Sequence, residues 1–116
     1  MSELGELKYD NLVAGNEGII TEPITVDVSQ TVLRGDLLKK VNGKYQRPTE
    51  AIAETDFVVV ASEDITTDAT NTAASIGYKT GQFNPNVMRF GGTSTAEDNY
   101  DILTDKSIYL ANVQSN

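Results

Sequence analysis

The dipeptide Asn42-Gly43, set between residues 36–41 and Lys44-Tyr45-Gln46, narrows most what this chain can become. Asn and Gly tolerate the positive φ angles of a two-residue type I′ turn, whose twist matches a pair of antiparallel strands. The surrounding punctuation is of the same kind. Ile24, Val26 and Val28 alternate with Thr25 and Asp27, which predicts a half-buried strand. Pro48 stops the return strand of the hairpin, and residues 49–56 make a connector with room for a helical turn at 51–53. Residues 57–61, Phe-Val-Val-Val-Ala, form an unbroken apolar run and predict the most buried strand. Residues 62–71 are polar and threonine-rich, as expected of a turn and an edge.

Ala74, Ile76 and Tyr78 then alternate into Thr80-Gly81, and Phe83 continues the pattern. Asn84-Pro85-Asn86 predicts a turn, residues 87–90 a short strand, 91–99 a long polar loop and 100–103 one helical turn. Ile108 and Leu110, with Tyr109 facing the other way, give the last strand. The expected fold class is mostly β, a small single-domain barrel or sandwich-like fold with short helical turns and an extended N-terminal arm.

A length of 116 residues suits one domain. Residues 1–22 read as the flexible arm and 23–116 as the β-rich domain. Gly5, Gly15 and Gly18 interrupt any helical period in the arm, and Glu3, Glu6, Asp10 and Glu17 face only Lys8. Leu4, Leu7, Tyr9, Leu12 and Val13 are nevertheless too apolar for a segment that always stays in water. They predict a segment that orders against a partner.

The chain contains no cysteine and no histidine. Thiolate metal sites and Cys nucleophiles are thereby excluded, and so are the commonest general base and metal ligand. We therefore expect a protein that is not an enzyme and uses no cofactor or resident metal. The formal net charge of -8 repels phosphate backbones and argues against nucleic-acid binding. The longest apolar run, residues 57–61, is far too short to span a membrane as a helix. No basic stretch followed by an apolar one opens the chain, so synthesis and retention in the cytoplasm are expected.

Several short motifs have ordinary explanations. Arg34-Gly35-Asp36 spells an integrin-binding tripeptide, but Gly-Asp between apolar stretches is turn chemistry. Gly43-Lys44 lacks the upstream Gly and the following Ser or Thr of a phosphate loop. Gly91-Gly92-Thr93-Ser94 reads as a flexible loop. Glu63, Asp64 and Asp68, with Thr66 and Thr67, do not have calcium-loop spacing. The one uneven charge feature is basic: Arg34, Lys39, Lys40, Lys44 and Arg47 are five of the nine basic residues. They are either a solvated strand edge that discourages aggregation or a contact patch for an acidic partner.

The order of elements carries a resemblance. Gly35-Asp36-Leu37-Leu38 leads into the Asn42-Gly43-Lys44-Tyr45 hairpin, then comes the buried run at 57–61. Ile76-Gly77-Tyr78-Lys79-Thr80-Gly81-Gln82-Phe83 follows, and the chain closes on Ser107-Ile108-Tyr109-Leu110. Over roughly residues 23 to 110 this resembles the lambda-type head decoration proteins of tailed phages. The Tyr78-to-Phe83 segment is similar to that family's aromatic-x-x-Gly-x-Phe hairpin. The resemblance implies a virion protein on the outer surface of the phage head, made in the host cytoplasm. It implies homotrimers at three-fold and quasi-three-fold sites that stabilise the expanded shell against internal DNA pressure. It further implies a major capsid protein as partner, met through the arm residues Leu4, Leu7, Tyr9, Leu12 and Val13. The sequence departs from the family in an arm without proline and in the 91–99 loop. Other readings are a tail-tube or fibre-tip subunit, or a carbohydrate-binding β module.

Overall fold

In a computed structural model, residues 12–14 and 18–111 are described. Within them run β1 (Ile20–Val26), β2 (Thr31–Val32), β3 (Leu37–Val41), β4 (Lys44–Gln46), β5 (Val58–Ala61), β6 (Ile65–Thr66) and β7 (Ala73–Phe83). A 3-10 turn (Pro85–Val87), α1 (Ala96–Asp105) and β8 (Ile108–Leu110) complete the order. The expected mostly-β class holds: β1, β4, β3, β5 and β7 close a five-strand barrel, and β8 adds to β7 as an extra strand. The pairs within the barrel are antiparallel except β1 with β4, which meet in parallel at Val26 and Tyr45. β2 and β6 form a separate two-stranded sheet.

The hairpin forms where Asn42-Gly43 predicted it, with φ of 53° and 84° at its two central residues. β5 is buried on both faces because it separates two cores. Val59 and Ala61 point into the barrel with Ile24, Val26, Leu38 and Tyr45. Val58 and Val60 point outward to a second core with Leu37, Phe83, Met88, Phe90, Leu103, Ile108 and Leu110. The period-2 geometry of strands makes this division automatic. Phe57 does not belong to the buried run. It is 71% exposed, because its inward position falls one step beyond the last filled layer of the barrel.

β7 departs from the expected pattern in phase. Ser75 and Gly77 are buried, whereas Ile76 is 43% exposed. The barrel is tight at this point: a Cβ on Gly77 would meet Val59 Cγ2 at 2.7 Å, so the small residues take the inward face. The Tyr78-to-Phe83 segment is no hairpin but the second half of this one strand. Tyr78 and Phe83, of opposite parity, both pack in the outer core with ring centroids 5.4 Å apart. The phase changes at Gly81, whose φ is 147°, near the register shift between Ile20 and Thr21 on β1.

Further elements also differ from expectation. The connector holds a turn at Glu54-Thr55 and no helical turn at 51–53. Ile52 is instead buried, and its N–H donates to Asn99 Oδ1 at 3.0 Å. Residues 87–90 make no strand: Val87 ends the 3-10 turn, and Arg89 forms an isolated bridge with Asp36. The expected loop at 91–99 is packed and short. Gly91 and Gly92 lie so close to the backbone of residues 48–50 that a side chain on either would collide with it. The helix is longer than one turn because Thr95 and Asp98 form a capping box that satisfies its first N–H groups.

The domain starts earlier than residue 23. Leu12 is 1% exposed within the outer core, Val13 bridges to Phe83, and β1 begins at Ile20. The cause is β7, whose length gives it free backbone groups beyond the barrel. Gln82 O accepts from Ala14 N at 2.8 Å, and Asn84 N donates to Leu12 O at 2.8 Å. Leu4, Leu7, Tyr9 and the rest of residues 1–11 and 15–17 lie outside the described residues.

Candidate functional site

The basic hairpin residues divide into two groups. Asp36 is fully buried, and Arg89 grips it with two hydrogen bonds of 2.6 Å, from Nε to Oδ1 and from the second guanidinium nitrogen to Oδ2. Asp36 Oδ2 also accepts from Leu33 N at 2.7 Å. Arg47 Nε lies 3.5 Å from the same oxygen as an ion pair without a hydrogen bond, while its Nη2 donates to Phe90 O. The neighbouring carboxylate holds the Arg89 guanidinium above its ordinary pKa, against a smaller opposing effect of burial. Arg34 donates to Ser62 O at 2.8 Å and to the Tyr78 hydroxyl, and lies over the Tyr78 ring. Arg34, Asp36 and Arg47 thus hold loops together. The buried Asp36 rules out display of the Arg-Gly-Asp tripeptide.

The lysines lie elsewhere. Lys39 is 4.0 Å from Asp56, and Lys44 is exposed at the hairpin tip. Lys40 stands at the barrel mouth, a position that follows from strand period. Stepping two residues beyond the last inward apolar side chain gives Glu22 on β1 before Ile24, Lys40 on β3 after Leu38, and Phe57 before Val59. The same step gives Lys79 on β7 after Gly77. These four residues, with Tyr45, Asp56, Val58 and Lys106, line an opening of about 400 Å³. Sharing Glu22, Lys40 and Tyr45, a second groove of about 330 Å³ runs on between Pro23, Ile24 and Thr25 of β1 and the hairpin. It exists because β1 and β4 are paired only at Val26 and Tyr45.

The floor of the mouth is closed by the Tyr45 hydroxyl, which donates to Glu22 Oε2 at 3.1 Å. Burial, and then the Glu22 charge, push the Tyr45 hydroxyl up to about 12. Asp56 accepts from Ala53 N, and Lys106 Nζ donates to Glu54 O at 2.8 Å. Lys40 has only the Phe57 ring, 5.9 Å away, and Lys79 has no hydrogen-bond or ionic partner among the described residues. The carboxylates of the mouth are therefore committed and two of its ammonium groups are not. Such an opening can take an anionic group together with an apolar side chain lying on Phe57.

Of the candidate patch, only Lys40 belongs to this mouth; Phe57, Lys79, Lys106 and Glu22 escaped the sequence reading. A charged residue at the end of an inward series was their only signal. Of the arm residues, Leu12 is consumed by the domain's own core and Val13 packs against it. Glu63, Asp64 and Asp68 are held apart by separate bonds to Ser75, to Arg34 N and to Thr70 and Asn71. Comparison of the chain with protein-family models and with curated protein sequences gave no match.

Proposed function

We propose that this protein works by binding other virion proteins, as a decoration protein on the outer surface of a tailed-phage head. The observation that carries the binding role is the barrel mouth. Its exposed Phe57, with Lys40 and Lys79 that have no ionic partner among the described residues, surrounds carboxylates already engaged by Tyr45 and Ala53. The head-shell assignment rests on the order of elements in the sequence and on the closed barrel those elements form.

A ligand that binds only the expanded shell stabilises it by mass action. Trimers at three-fold sites multiply weak individual contacts into avidity. Residues 1–11, with Leu4, Leu7 and Tyr9, contribute to this binding, whereas Leu12 and Val13 serve the fold.

Co-sedimentation with emptied, expanded heads tests the reading. Full-length protein should bind saturably, and a chain beginning at Leu12 should bind more weakly while remaining folded. A chain beginning near residue 21 is unsuitable because it loses Leu12 from the core. Absence of binding by the full-length protein would discard the head-shell assignment. Rings or tubes formed without heads would assign the chain to a tail.

A further inference from the structure

We propose that residues 3–10 of one copy dock in the barrel mouth of a second copy, their acids on Lys40 and Lys79 and an apolar side chain on Phe57. The mouth is an anion-accepting site on a strongly acidic chain, so most of the molecule's own surface is a poor partner for another copy. Residues 3–10, Glu-Leu-Gly-Glu-Leu-Lys-Tyr-Asp, are the exception in chemistry, with three acids interleaved with Leu4, Leu7 and Tyr9. Acid beside apolar residue is the composition that lysines without an ionic partner among the described residues, around an exposed phenylalanine, accept.

The register at the start of the domain directs the chain away from its own mouth and so favours a second copy. Leu12 lies opposite Asn84, and Ala14 opposite Gln82. Followed backwards from Ala14 to Leu12, the chain therefore runs along β7 away from Lys79. At roughly 3.3 Å per residue, Asn84 is about 17 Å from Lys79 along the strand. Asp10, two residues from Leu12, spans about 7 Å even when extended, whereas Glu6 and Glu3, about 20 and 30 Å from Leu12 at full extension, would reach their own mouth only by doubling back along β7. A second copy is met without that reversal. The contact would link copies to one another through Lys40, Phe57 and Lys79, and it does not depend on the shell reading.

Sedimentation velocity of the full chain at low salt, over a range of concentrations, tests this. Wild-type protein should associate reversibly and less so at high salt. The pair Lys40→Glu and Lys79→Glu should weaken association by about a hundredfold, and so should Glu3→Lys with Glu6→Lys. Each altered pair pits like charges against each other. Combining all four substitutions in one chain should restore association, which separates lost docking from lost folding. The two doubly substituted chains, mixed, should associate with each other. Wild-type protein that stays monomeric throughout, or association indifferent to Lys40→Glu with Lys79→Glu, would overturn the proposal. Either result leaves head binding to be judged by its own assay.

Discussion

Arg47 and Lys40 come from the same hairpin and end in opposite circumstances. Arg47 turns toward the fully buried Asp36, whose carboxylate Arg89 grips with two hydrogen bonds while backbone groups take the remaining bonds. Lys40 turns toward the barrel mouth, where the Phe57 ring lies 5.9 Å away and Lys79, lining the same opening, has no ionic partner among the described residues. A planar guanidinium can share one carboxylate and still donate to a carbonyl, which suits a loop junction. An ammonium on a long stem keeps its charge in water while the stem covers apolar surface. The two clusters teach that basic residues adjacent in sequence serve the fold or the surface according to which face of a strand, and which end of the barrel, they occupy.

Substitutions at the two ends test that contrast. Asp36→Ala should cost about 3 kcal/mol, because it strands Arg47 and removes both bonds from Arg89. Urea denaturation measures it, and a loss below about 1 kcal/mol would mean the cluster is no more structural than the mouth. Gly77→Ala, one layer inside the mouth, should cost about 2 kcal/mol through overlap with Val59. Val59→Ala in the same chain should recover part of that loss; failure to do so would place the strain elsewhere.

Tyr45 marks the boundary between the packed interior and the open mouth. Its hydroxyl is raised to about 12 from an ordinary 10.0, so its stabilising effect is complete below pH 10. Above that pH the unfolded chain releases the proton first, and stability falls as pH rises toward 12. Phenolate absorbance should show one of the five tyrosines titrating late. Glu22→Gln should bring that titration closer to the ordinary value, leaving burial as the remaining cause. The smallest effects belong to the rim. Phe57→Ser and Lys79→Ala should each change unfolding free energy by less than about 0.5 kcal/mol, since these side chains are exposed. A larger loss would make the mouth part of the core.

The parts of the fold legible in the sequence were those set by local chemistry. Asn42-Gly43 requires positive φ at both residues and so announced its hairpin. The apolar run at 57–61 announced the most buried strand, although Phe57 at its start is exposed, and Ile108 and Leu110 announced β8. The capping box of Thr95 and Asp98 is equally local, and it starts a helix that runs well beyond the single turn expected at 100–103. Other features were not local. Whether Ile76 or Gly77 faces the barrel depends on Val59 filling the space across from it. Whether Leu12 belongs to an arm or to the core depends on β7 running past the barrel and offering it a backbone partner.

Alternation and turn residues by themselves determined a β domain, and the absence of cysteine and histidine withheld thiol and imidazole chemistry from it. Only the tertiary structure decided which lysines reach the barrel mouth, because that depends on which strands meet and where the inward series of each runs out. Period-2 geometry gives every strand two faces, and closure of the barrel alone assigns one of them to the interior.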